Sequence, residues 1–140
     1  MMVGSRSYTL LFSLLLLVSL MGVSEGSLFG IFRYRHVYVR NGLGNGTLLT
    51  HHCKSKDDDL GVRTLKYDEE FKFQFKPSFF GNTLFFCSFT WNGKLHWFTI
   101  YDYSLDNNYC YDCYWSIKPD HPCRFNSKTF NYDLCPYVYR

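Results

Sequence analysis

Six cysteines, Cys53, Cys87, Cys110, Cys113, Cys123 and Cys135, all lie beyond an apolar stretch near the N-terminus, and together these two features limit what the chain can become. The apolar stretch, Leu10 to Leu20, follows a polar lead carrying Arg6 and runs into small residues at Gly22, Ser24 and Gly26. It is shorter than the roughly 20 residues a spanning helix needs and matches the core of a secretory signal. Residues 1–26 are therefore expected to be a signal peptide. Cleavage is placed before Ser27, because Ser24 and Gly26 supply the small residues at the third and first positions before the cut. Residues 27–140 then form one domain in an oxidising compartment, where a disulfide framework is the first reading of six cysteines. Each bridge contributes about 2 to 4 kcal/mol, which matters in a domain too small to bury a large core.

The remaining pattern is that of strands. Aromatic residues make up 21% of the chain, which favours a packed β-rich fold over disorder. In "EFKFQFK" Phe71, Phe73 and Phe75 alternate with Lys72, Gln74 and Lys76, the signature of a half-buried antiparallel strand. "TLFFCSFTWNGKLHWFTIYDY" places Asn92-Gly93 between two β-rich runs, a pair that suits a tight hairpin turn because both residues tolerate positive φ. Its first arm sets Phe85, Cys87, Phe89 and Trp91 on one face. Its second sets Leu95, Trp97, Thr99 and Tyr101 on one side, with His96, Phe98 and Ile100 opposite. Leu49, His51 and Cys53 share a face, and so do Cys113, Trp115 and Ile117. Trp91 and Trp115 are expected core residues. No helical periodicity follows the apolar stretch, and the tail from Arg124 to Arg140 is irregular but pinned by Cys135. The fold class is all-β: a small antiparallel β-sandwich of about 7 to 8 strands stapled by disulfides.

Strand geometry also bears on the bridges. Cys123 with Cys135 closes the tail, whereas Cys110 and Cys113, three apart in a strand pattern, face opposite ways. Cys53 and Cys87 are then expected to take one each of Cys110 and Cys113, in an order the sequence leaves open.

The candidate chemistries are weak. His51 and His52 could serve as the acid and base of a ribonuclease, but adjacent strand residues point to opposite faces. The Cys110–Cys113 spacing resembles a zinc pair and Asp57 to Asp59 an acidic cation site. Oxidation competes with the first, and the second lacks the spaced ligands and tight-turn glycine of a calcium loop. No nucleophile elbow is present. Tyr101, Tyr103, Tyr109 and Tyr111 could make a sugar-stacking face, a role core packing competes for. A formal charge of +3 without a basic stripe gives no nucleic-acid footprint. No catalytic residue, metal or cofactor is expected, nor stable membrane insertion. Two surface features stand out. Asn45-Gly46-Thr47 is an N-glycosylation acceptor on an exposed turn, and "KSKDDD", with Lys54, Lys56, Asp57, Asp58 and Asp59, is a charged turn too costly to bury.

Four blocks in order resemble one family. They are "VYVRNGLGNGTLLTHHCKSKDDDLG", "FKFQFKPSFFGNTLFFCSFTW", "HWFTIYD" and "CYDCYWSIKPDHPC". Their succession is similar to that of the plant self-incompatibility proteins, or S-protein homologues, except at "HPC", where many relatives carry Asp-Gly before the cysteine. The resemblance implies a secreted, disulfide-linked β-sandwich, expected to be monomeric and to act as an extracellular ligand of a cell-surface protein receptor, with pollen–pistil recognition as the founding role. A secreted defence protein that binds carbohydrate is the alternative, and a cryptic ribonuclease the third reading. The charged turn is the candidate contact loop.

Overall fold

The computed structural model describes residues 3–20 and 33–140. Two compact units result. The first contains helix α1 (Val3–Leu20), apolar over most of its length. Among the described residues no helix is long and apolar enough to cross a membrane. The expected cleavage point before Ser27, with Ser24 and Gly26, lies outside the described residues.

The second unit is a two-layer β-structure. Its described elements are β1 (Arg35–Asn41), β2 (Leu49–Lys54), β3 (Asp59–Leu65), β4 (Glu70–Phe75), β5 (Leu84–Trp91), β6 (Lys94–Asp102), α2 (Tyr103–Asp106), β7 (Asp112–Ile117), β8 (Pro122–Asn126) and β9 (Asn131–Leu134). One sheet has the order β4-β1-β7-β8-β9 and the other β3-β2-β5-β6. Every pairing is antiparallel except β1 with β7. Alternation produces the expected faces: Val37 and Val39, Leu49, His51 and Cys53, Phe73 and Phe75, and Phe85, Cys87 and Phe89 all turn inward, as do Cys113, Trp115 and Ile117. Asn92 and Gly93 carry φ of 50° and 74°, as a primed hairpin turn requires.

Rings join the two sheets. Phe75 meets Phe85 at 4.7 Å and Tyr101 edge-on at 4.8 Å, Phe73 meets Phe85 at 5.1 Å, and Phe98 meets Trp115 at 4.9 Å. Such pairs contribute about 0.5 to 1.5 kcal/mol each beyond the area they bury. The buried Asn41 ties the layers at one end. Its amide donates to the carbonyls of Thr47 (2.8 Å) and Leu65 (3.0 Å), and its Oδ1 accepts from the Leu43 N–H at 3.0 Å.

Four expectations are corrected. Cys110 pairs with Cys113, and Cys53 with Cys87, while Cys123–Cys135 is as expected. Cys110 precedes β7, in the turn after α2, so strand alternation does not govern it. Cys53 and Cys87 face each other across β2 and β5, with Cα atoms 4.0 Å apart. Tyr101 is buried because a register shift opposite Phe85 and Phe86 makes both Ile100 and Tyr101 face inward. Trp91 is half-buried at the hairpin end, stacked on His96 at 3.7 Å, whereas Trp115 is a core residue. The tail is not irregular throughout: it holds β8 and β9. Beyond them a C-terminal strap lies along the β6 edge, where Trp97 and Arg140 exchange two backbone hydrogen bonds of 2.9 Å.

Candidate functional site

Strand register sorts the loops between the two ends of the sandwich. The turn carrying Asn45, the 66–69 turn and the Asn92-Gly93 turn share one end. The turn after β2 and the 76–83 segment between β4 and β5 share the other. The acceptor Asn45 is exposed and stands at the end remote from the charged turn.

At the charged end each loop is braced by its own polar side chain. In the turn after β2, the Ser55 N–H donates to the Asp58 carbonyl (2.8 Å) and the Asp58 N–H to Ser55 Oγ (3.1 Å). In the second loop Ser78 accepts from Phe80 N–H through its Oγ (3.3 Å) and from Gly81 N–H through its carbonyl (3.0 Å). Thr83 Oγ1 accepts from Ser78 N–H at 2.6 Å. Gly81, at φ +68°, lets the chain turn against the Tyr103 ring. This bracing leaves Phe79 and Phe80 standing out, 74% and 87% exposed, packed edge-on at 5.7 Å. Between the loops lies a cleft of about 450 Å³, walled by Lys56, Asp57 and Asp58 on one side and by Lys76, Ser78 and Asn82 on the other.

The five candidate contact residues divide. Lys56, Asp57 and Asp58 are exposed in the cleft wall. Lys54 ends β2 and its ammonium lies 5.9 Å from the Phe86 ring centre. Asp59 opens β3 and is a structural residue: its Oδ1 accepts from Gly61 N–H (2.9 Å) and from His52 Nε2 (2.6 Å). The Gly61 bond first, then His52, hold its carboxyl below the usual aspartate range. Sequence reasoning missed Phe79 and Phe80, although two adjacent phenylalanines between Pro77 and Gly81 sit where a turn, not a core strand, belongs.

The other candidates do not assemble. His51 is 1% exposed, its ring 4.5 Å from Phe71, and neither of its ring nitrogens has a hydrogen-bond partner among the described residues. Burial first, then the charges of Arg63 and His52, lowers its pKa from 6.5 to about 4. His52 faces the other side, toward Asp59, so the pair cannot converge on one substrate. Of the four tyrosines offered as a sugar-stacking face, Tyr101 is core, Tyr103 packs against the core beside Gly81, and Tyr111 lies under the guanidiniums of Arg33 (4.4 Å) and Arg35 (4.2 Å). Tyr109 stands apart from them, 83% exposed.

Comparison with known proteins agrees with this architecture. The family model described as plant self-incompatibility protein S1 matches residues 36–137. S-protein homolog 2 of Arabidopsis thaliana is 49% identical over 106 residues, covering 72% of this chain and 66%, just under two thirds, of that relative. S-protein homolog 5 of the same plant is 45% identical over 110 residues, covering 79% of this chain and 85% of the relative. A solved self-incompatibility protein homologue, from a family described as small, highly stable, secreted plant proteins, superimposes with a TM-score of 0.55 at 21% identity. That match covers 78% of this chain and 96% of the other, and it supports the two-sheet fold. With its family model matched over most of its length and relatives at this level of identity, the chain belongs to the plant self-incompatibility protein S1 family, the S-protein homologues.

Proposed function

We propose that the protein is a secreted extracellular ligand that binds a cell-surface protein through the charged end of its sandwich. Residues 1–26 act as the signal peptide, residues 27–140 are the released domain, and the domain acts by binding rather than catalysis. The observation that carries this reading is the Phe79–Phe80 pair, held out of the core by the Ser78 turn beside Asp57 and Asp58. Two large rings that no described neighbour covers gain most of their burial only in a complex, and aromatic anchors ringed by polar groups are the usual centre of a protein interface. The charges beside them set approach and register more than affinity. Asn45 lies at the opposite end, so a glycan there leaves this surface clear.

The test is labelled, correctly oxidised 27–140 domain applied to intact pollen tubes and to stigma and leaf cells. Saturable, protease-sensitive binding is expected on one of them. Phe79→Ser with Phe80→Ser should abolish it while the melting temperature stays unchanged. Binding that survives this double change would refute the assignment. Confinement of binding to pollen tubes would point to pollen–pistil recognition.

A further inference from the structure

A second concave site lies on the β6 flank of the sandwich, among β6, α2, β8 and the C-terminal strap; it reaches the charged end, where Asp102 pairs with Leu84, but shares no lining residue with the cleft there. It encloses about 480 Å³, within the range of small-ligand sites. Its floor is a pre-set ion pair. Arg124 Nη2 donates to Asp106 Oδ1 at 2.7 Å, and Asp106 Oδ2 accepts from the Asp102 N–H at 2.7 Å, so both oxygens of a carboxylate that is 7% exposed are fixed. The Arg124 guanidinium lies 4.5 Å from the centre of the Trp115 ring, which is 2% exposed, and Tyr137 meets that ring edge-on at 4.8 Å. The other terminal nitrogen of Arg124 has no hydrogen-bond partner among the described residues. At the rim stands Tyr109, its ring engaged with no other ring among the described residues.

The charge balance of the lining decides the class of ligand. Arg124 and Arg140 are offset by Asp102 and Asp106, so no net positive field favours an anion. What remains is an immobilised carboxylate and guanidinium, able to accept and donate side by side, beneath an aromatic face open to solvent. Vicinal hydroxyls fit the first, and the apolar face of a pyranose ring fits the second. We propose that this flank groove binds a neutral oligosaccharide, with Tyr109 stacking on a sugar ring and the Asp106–Arg124 pair holding its hydroxyls. The groove's lining residues and Tyr109 are distinct from Phe79, Phe80 and the cleft residues, so either assignment can fail without the other.

The experiment uses the oxidised 27–140 domain and three defined probes, cellohexaose, xylohexaose and chitohexaose, followed by calorimetry and by the fluorescence of the protein. Saturable binding of at least one probe is expected, insensitive to salt because the ligand is uncharged. Tyr109→Ala, at a side chain too exposed to matter for folding, should weaken that binding about tenfold, and Tyr109→Phe should keep it within about twofold. Absence of saturation by all three probes at about 10 mM, the weak end of specific affinities, overturns the proposal. So does unchanged affinity in Tyr109→Ala, or tighter binding of the acidic tetragalacturonate than of every neutral probe.

Discussion

Replacing His51 with Leu should remove much of the acid sensitivity of the fold. The imidazole lies between the layers against Phe71, with Arg63 on the neighbouring strand and His52 next in sequence adding to the cost of a positive charge. In the folded protein it titrates near 4, in the unfolded chain near 6.5. A histidine whose folded pKa is depressed is neutral when folded and takes up a proton when unfolded, so stability falls as the pH drops below 6.5 and stops falling near 4. At about 1.4 kcal/mol per pH unit, the loss from this residue reaches roughly 2 kcal/mol by pH 5 and about 3 kcal/mol below pH 4. His51→Leu keeps similar volume, removes the titration, and relieves a buried ring whose nitrogens lack partners among the described residues, so at pH 7.5 it should match or exceed the wild type. Urea unfolding of both proteins, with disulfides intact, at pH 7.5, 6.0 and 5.0 measures the difference. The His36–Asp112 and His52–Asp59 contacts are present in both proteins. Parallel pH profiles would refute the reasoning, because they would mean that His51 is protonated in the folded state or reaches a partner there.

Asn41→Ala should cost about 3 kcal/mol, since it strands two carbonyls and one N–H at the junction of the layers; Asn41→Asp should do no better, having no donor for Thr47 and Leu65, and thermal unfolding reads both. Paired Cys→Ser changes should destabilise in order of loop length: about 4 kcal/mol for Cys53–Cys87 (separation 34), about 3 for Cys123–Cys135 (12) and about 2 for Cys110–Cys113 (3). Trp115→Ala should cost about 3 to 5 kcal/mol and lower secreted yield, because the emptied space lies among Phe98, Tyr137 and Arg124, which are already committed to one another. Asp57→Asn with Asp58→Asn should leave the melting temperature unchanged but slow association with the proposed cell-surface partner at low salt. Adding Asp59→Asn should lower stability above the aspartate pKa, where its depressed carboxyl contributes, and that difference should fade as the pH falls through its folded pKa.

What was legible in the sequence follows from where period two survives. Phe71 to Phe75, Leu49 to Cys53 and Cys113 to Ile117 alternate because each strand has one buried face, and the Asn92-Gly93 turn announces itself through its φ requirement. The edge strand β3 was not, since Leu60, Gly61 and Val62 show no alternation and Gly61, at φ +77°, breaks the strand's regularity beside Asp59. Its Asp59 therefore looked like part of a solvated turn when it is a strand residue bonded to His52. Tyr101 was assigned to the wrong side by a single register shift, and Cys110 was read as a strand residue because Cys113 is one. The flank groove was invisible for a different reason: Asp106, Tyr109, Arg124 and Tyr137 come from a short helix, its following turn, β8 and the strap, and no local pattern joins them.

The bridges and the rings hold different parts of the molecule. Cys53–Cys87 lies within one sheet, Cys110–Cys113 ties the turn after α2 to the start of β7, and Cys123–Cys135 ties the strap to β8, so none of the three crosses the core. Adhesion between the layers rests on Phe73, Phe75, Phe85, Phe98, Tyr101 and Trp115, with Asn41 closing one end. At the other end the loops are braced from within, by Ser55 in one and by Ser78 and Thr83 in the other, and their tips contribute little to the core. Substitutions at Lys56, Asp57, Asp58, Phe79 and Phe80 therefore change a surface that the fold does not need. Loop substitution alone can therefore reshape this end without unfolding the domain, provided the bracing serines and Thr83 stay, because the free energy that separates folded from unfolded chains is generated elsewhere.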